Sequence, residues 1–328
     1  MRLSIFWVGA FAVLAAAAAA TRLIDNEYVF VAVFGIAHLV MLATAWNVLG
    51  GNCGYINFGG AGFVAVGAYV GVAMGKGLGA SLPLQLLAAG LASGLLGLTV
   101  GALSLRFKGI FFAIATLAVA TILGVVVENW DFVGGARGLT VMRPAESDWF
   151  KTYNRQLFVV MIFLALLSIA AARYVQRSWL GRGMRALRDN EAAAEGCGVP
   201  TLNLKLTAAT LSGALMGLSG TLLPQMSSFI EPTSLFALNT AVMALAMPMV
   251  GGTSRWTGPI IGALLLGTMQ QAITVTVSSE ANVLFAGIFL VLAVVVAPKG
   301  LLGLIDAAKA RRRARSVTSG VPQQEAAQ

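Results

Sequence analysis

Stretches of about 17 to 25 residues that are almost wholly apolar recur along the chain, each long enough to cross a hydrocarbon core of about 30 Å. Ten such spans are placed at 3–20, 28–49, 56–74, 82–104, 109–127, 156–172, 204–223, 235–252, 258–277 and 282–303. The chain is therefore read as an all-α polytopic membrane protein of about ten transmembrane helices. Composition agrees, since 58% of the 328 residues are hydrophobic and only 11% are charged, against about 45 to 50% and about 25% in soluble domains.

The basic residues set an orientation. With an even number of spans and the N-terminus inside, 16 of the 22 Lys and Arg residues fall on inside ends and loops, the bias expected of cytoplasmic segments. The six outside are Arg22, Lys76, Arg137, Arg143, Lys151 and Arg155. Both termini are thus expected in the cytoplasm, and the net charge of +9 needs no nucleic acid to explain it. The first span carries Arg2 and an Ala-rich end like a secretory signal, but its apolar stretch exceeds the usual h-region, so a retained helix is expected. Cys53 and Cys197 both fall near the cytoplasmic face, where a disulfide is not expected.

Residues 1–305 form the predicted transmembrane domain, with the longest external segment at 128–155. Its four acidic and four basic side chains cancel, as in a folded or partner-facing loop. From Asp306 the hydrophobic periodicity ends in a basic block and a Ser, Gly, Pro and Gln tail over 306–328, expected to be partly disordered. Glycines at helical spacing, such as Gly67, Gly71 and Gly75 or Gly97 and Gly101, predict close helix packing.

A compact charged segment lies between two apolar runs at 178–198. Leu180, Met184 and Leu187 share one helical face while Arg182, Arg185 and Asp189 project from another, and Gly196, Gly198 and Pro200 end the helix. Such an amphipathic helix either lies across a groove of another protein or sits at the interface with its arginines on lipid phosphates.

The spans also argue by absence. His38 is the single histidine, and no Asp, Glu, Lys or Arg lies near the middle of any predicted span, where an ion-coupled carrier needs a titratable or coordinating group. No phosphate-binding loop, Ser/His/Asp grouping or zinc-protease spacing occurs, so the chain is not read as an enzyme. Uphill transport would draw its energy from a partner. Irregular backbone is expected at 46–60, with five glycines and three asparagines between apolar stretches, and a second break at 248–252. Asn47, Asn57 and Tyr69 are candidate path residues that supply polar groups, while Gly59, Gly60 and Gly62 supply space. Ordinary turns would account for both breaks equally.

Six pieces resemble, in order, the M-type permease subunit of branched-chain amino acid ABC importers. They are Ala45-Trp46-Asn47-Val48-Leu49-Gly50-Gly51 leading to Gly67-Ala68-Tyr69; the run from Leu105 to Leu117; Gly134-Gly135-Ala136-Arg137-Gly138-Leu139; Gly183-Met184-Arg185-Ala186-Leu187-Arg188-Asp189-Asn190-Glu191; Val250-Gly251-Gly252 with Gly258-Pro259; and Pro298-Lys299-Gly300-Leu301-Leu302-Gly303. The resemblance implies that 178–198 is a cytoplasmic coupling helix entering a cleft on an ATP-binding subunit. Arg182, Met184, Arg185, Leu187, Arg188, Glu191, Glu195 and Gly198 are its docking residues, with Leu187 in the cleft and Arg185 and Arg188 on acids at the rim. Ala192 stands where importers generally carry Glu, and Gly60 where the family often has His.

By the same resemblance the partners are a second, H-type permease, two ATP-binding subunits holding ATP and Mg, and an external periplasmic solute-binding protein, assembled in the lipid of a bacterial inner membrane. This chain itself is expected to hold no cofactor or metal and to bind no nucleic acid. The solute is a branched-chain amino acid or a related small polar molecule. The alternative reading is a stand-alone channel or facilitator for a small neutral solute such as urea.

Overall fold

The protein is represented by a computed structural model that describes residues 2–103, 107, 109–143, 150–276, 287 and 300–304. Six long helices come first: α1 (Arg2–Leu23), α2 (Glu27–Cys53), α3 (Gly60–Leu78), α4 (Leu82–Leu103), α5 (Ile110–Glu128) and α6 (Tyr153–Arg177). Two short ones follow, α7 (Trp179–Asp189) and α8 (Glu191–Gly196), then α9 (Thr201–Ser227), α10 (Pro232–Leu235), α11 (Leu238–Gly251) and α12 (Thr257–Thr276). Eight described helical stretches are long and apolar enough to cross a bilayer. The helix α12 overlies the ninth predicted span. The tenth, 282–303, and the tail at 306–328 lie outside the described residues, apart from 287 and 300–304.

Helix limits follow local chemistry. Asn26 accepts the N–H of Tyr28 to cap α2, and Gly54, at φ 79°, closes it in the left-handed conformation that a side chain would strain. The helix α2 therefore runs on through Trp46–Cys53, and the irregular backbone expected over 46–60 shrinks to 54–59. Over the predicted span 235–252 the stretch Pro232–Gly251 is long and apolar enough to cross, with the extended Ala237 between α10 and α11. The 14 residues of α11 rise only about 21 Å.

The helix α9 is the axis of the bundle and packs on α2, α3 and α4. Small residues permit the approach. A Cβ on Gly67 would sit 2.0 Å from the carbonyl oxygen of Gly217, and one on Gly97 would sit 2.3 Å from that of Ala209. Helix association in lipid gains from such backbone proximity because apolar burial supplies little drive there. By contrast α1 lies at the periphery, against α6, and turns most of its apolar surface outward.

Polar contacts gather the helix ends into two sets. At one end Arg173 of α6 stacks on Phe6 of α1 and Trp256 before α12, and Gln176 binds the backbone of Ser254 and Trp256. At the other, Arg155 of α6 meets Glu27 of α2 at 2.8 Å and the carbonyl of Thr21 in α1. There the segment after α5 forms two tight turns and a strand, β1 (Leu139–Thr140), paired antiparallel with β2 (Phe229–Ile230).

Candidate functional site

The charged segment is an elbow of two helices, which corrects the single helix read over 178–198. Asn190 is extended at φ −161° and its side chain accepts the N–H of Ala193 to start α8. Asn at this position stabilises a new helix start in place of a helix interior. Arg182 and Asp189 are exposed and Arg185 half-buried.

The apolar stripe of the elbow faces inward. Met184 and Leu187 are buried in the main core cluster of this chain, so Leu187 holds α7 on its own bundle and is not available to fill a partner's cleft. Arg188 is exposed but engaged within the chain: its stem lies against Gly54, its Nη1 donates to the carbonyl of Gly51 at 3.0 Å and its Nε meets Asp189 at 3.5 Å. Glu191 receives Lys205 of α9 and, at 3.1 Å, the hydroxyl of Tyr55. Glu195 accepts from Thr201 at 2.7 Å, and Gly198 sits at φ 78° past the end of α8. Of the docking arginines read from the sequence, Arg182 and Arg185 meet no carboxylate among the contacts described, and Arg182 reaches the Arg177 carbonyl at 3.5 Å.

Above the elbow, the short break at 54–59 ends against the buried start of α3. Trp46 donates from Nε1 to the carbonyl of Asn57 at 2.8 Å. Asn57 accepts the N–H of Gly59 at 2.7 Å, and Thr116 of α5 accepts that of Phe58 at 3.1 Å. Gly59, Gly60 and Gly62 face Thr116, then Met216 and Ala244, then Ala120, so α5, α9 and α11 wall the start of α3 on all these sides.

Asn57, Gly59, Gly60 and Gly62 are thus brought together. Asn47 is buried on another face, reaching the Thr253 carbonyl at 3.5 Å, and Tyr69 lies about 14 Å further along α3, stacked on Phe236. Asn47 Oδ1, Asn57 Nδ2 and the Tyr69 hydroxyl are buried with no protein partner. Such groups are costly unless water or a ligand meets them.

Beyond Tyr69, at the end opposite the elbow, a cavity of about 990 Å³ opens between α3, α4, α6 and α9. Gly71 and Gly75 form one wall, and Gln85, Tyr153, Gln156 and Gln225 line others. Tyr153 donates to Gln225, whose Nε2 donates to Gln85 at 2.5 Å. Sequence reasoning missed these side chains because it searched the spans for charge. Amides within apolar runs, as at Gln85 and Gln156, were the available signal. Among the described residues no cluster of His, Cys, Asp and Glu could hold a metal, and Cys53 and Cys197 are both free thiols.

The family model described as branched-chain amino acid transport system / permease component matches residues 28–294. The high-affinity branched-chain amino acid transport system permease protein LivM of Salmonella typhimurium is 30% identical, with 80% of this chain and 67% of that protein covered. LivM of Escherichia coli is 29% identical over the same shares. The L-arabinose ABC transporter permease protein AraH of Azospirillum brasilense is 26% identical over 56% of this chain and 54% of its own length. No solved structure matches.

Proposed function

The chain belongs to the family of branched-chain amino acid transport system permease components, and from that premise we propose which solute it passes, which surface its partners grip and which way it faces. It is a multi-pass inner-membrane protein, the transmembrane permease subunit of an ABC importer, and a transport component with no enzymatic role of its own. The relative named for amino acids matches over 80% of this chain and the one named for a sugar over 56%, so the proposed solutes are branched-chain amino acids or related small polar molecules.

The observation that carries the docking and path readings is the stacking of three features along one axis. The exposed Arg182 and half-buried Arg185 stand on the elbow, the elbow is pinned to the break at 54–59, and α3 runs from that break to the amide-lined cavity. A path lined mainly by amides, with Lys76 as the charged side chain in the cavity lining, suits a zwitterion or amide, whose polar groups exchange water for side-chain amides, hydroxyls and backbone. In this arrangement the cavity is the outer vestibule, and the packed start of α3 closes the inner end. ATP and Mg belong to two ATP-binding subunits beneath the elbow. An H-type permease completes the path, and an external binding protein delivers solute to the vestibule. A stand-alone channel draws no support from relatives named as permease components.

The docking role passes from Leu187 to Arg182 and Arg185, with acids on the partner's rim as their counterparts. Arg182→Glu with Arg185→Glu should remove the ATP-binding subunits from the purified complex while the chain stays folded in the membrane. Retention of those subunits with full uptake would refute this surface.

A further inference from the structure

The sequence pointed to the elbow and the break separately, and the structure ties them together at three neighbouring positions. Arg188 crosses Gly54 and donates to Gly51. Three residues away, Glu191 takes the Tyr55 hydroxyl at 3.1 Å and the Lys205 ammonium. Lys205 lies 5.3 Å from the Tyr55 ring centroid, so the three side chains form a closed cluster in which each touches the other two. Lys205 is 3% exposed, which makes the cluster a buried joint with little solvent screening.

Its position in the chain gives it a mechanical role. Glu191 is the first residue of α8, beside the extended Asn190 where α7 and α8 part. Tyr55 lies between the left-handed end of α2 and the start of α3. Its ring meets Phe112 of α5 edge-on at 5.1 Å, and α5 also holds the break through Thr116 and the N–H of Phe58. Burial raises the Tyr55 hydroxyl above its ordinary value, with Lys205 pulling the other way, so it stays a hydrogen-bond donor to the Glu191 carboxylate at neutral pH.

We propose that Tyr55, Glu191 and Lys205 are positioning residues that pass movement of the α7–α8 elbow to the break and so to the start of α3. The proposal rests on the reading of the elbow as the surface gripped by ATP-binding subunits, and adds the route by which that grip reaches the path. Removing one member leaves the elbow docked and the break packed, but lets one move without the other.

The test uses the complete complex of both permeases, the ATP-binding subunits and the binding protein in proteoliposomes, reading solute imported per ATP hydrolysed. Tyr55→Phe keeps the ring against Phe112 and Lys205 and removes only the hydroxyl. Both Tyr55→Phe and Glu191→Gln should lower that ratio about tenfold. Their combination should do no further harm, because residues acting in one link are not additive. A merely structural role would lower assembly, uptake and hydrolysis together and leave the ratio at its parent value. An assembled Tyr55→Phe complex with the parent ratio therefore overturns the link. A parent chain that neither retains ATP-binding subunits nor transports with ATP overturns the docking reading, and the link with it.

Discussion

The two ends of the bundle are built from different chemistry. The elbow end is packed and charged: Lys205 and Glu191 are paired, Met184 and Leu187 are buried, and the start of α3 is walled in by three helices. The opposite end is open: Gln85, Gln156 and Gln225 line a cavity of about 990 Å³ together with Lys76, and the Arg155–Glu27 pair stands outside that lining. Buried ion pairs hold only where partners and geometry are complete, which suits a joint that transmits force. Neutral amides can exchange partners with a passing solute at small cost, which suits a vestibule. The helix α3 runs from the break to the cavity and α9 from Lys205 to Gln225, so changes along them and at either end separate these roles.

The largest effect is expected between the ends, where Gly67 meets the backbone of Gly217. Gly67→Leu forces α3 and α9 apart and should cost 3 kcal/mol or more, the upper side of the range of about 1–3 kcal/mol for overpacking. Thermal melting in detergent should show loss of the folded state. A stable Gly67→Leu protein would mean that α3 and α9 need no close contact, and the axis joining the ends would be wrong.

Next in size is a matched pair of cation deletions. Lys205→Met should destabilise by about 3 kcal/mol, since it takes the ammonium away from the half-buried Glu191 carboxylate. Arg155→Met at the other end should cost less, about 2 kcal/mol, because Glu27 is 41% exposed and regains water. The comparison sharpens if only Lys205→Met also lowers transport per ATP among the molecules that remain assembled. Equal uncoupling by both would erase the distinction between the ends.

A smaller change is expected in the vestibule. Gln225→Leu strips Gln85 and Tyr153 of a partner, at about 1–2 kcal/mol, while water reaches the cavity to limit the loss. Uptake should need several-fold more loaded binding protein, with ATP hydrolysis per solute unchanged. An unaltered uptake curve would remove these amides from the route.

Much of this arrangement is legible in the sequence, because length and apolarity alone decide whether a segment crosses lipid. Nine predicted spans meet helices within a few residues, and glycine spacing anticipates the α4–α9 and α3–α9 contacts. The misses have local causes. The elbow divides because Asn190 caps a new helix, and periodicity cannot see a cap inside an otherwise helical run. Leu187 was assigned to a partner because an amphipathic stripe says which residues are buried, not which molecule buries them. Tyr55, Glu191 and Lys205 lie far apart in sequence and meet only through the return of α9 beside α2. The start of α3 could be read as an irregular region, but the walls formed by Thr116, Met216 and Ala244 come from three separate helices.

The central claim is that the elbow faces the ATP side and the cavity faces the solute side. Single cysteines at Ala136, beside the cavity end, and Ala193, on the exposed face of α8, test it in a Cys197→Ser background that removes the exposed native thiol. A membrane-impermeant maleimide should label Ala136→Cys from outside sealed cells. It should label Ala193→Cys only in inverted vesicles, and bound ATP-binding subunits should protect that site. Labelling of Ala193→Cys from outside, or of both positions from one side, would contradict the account.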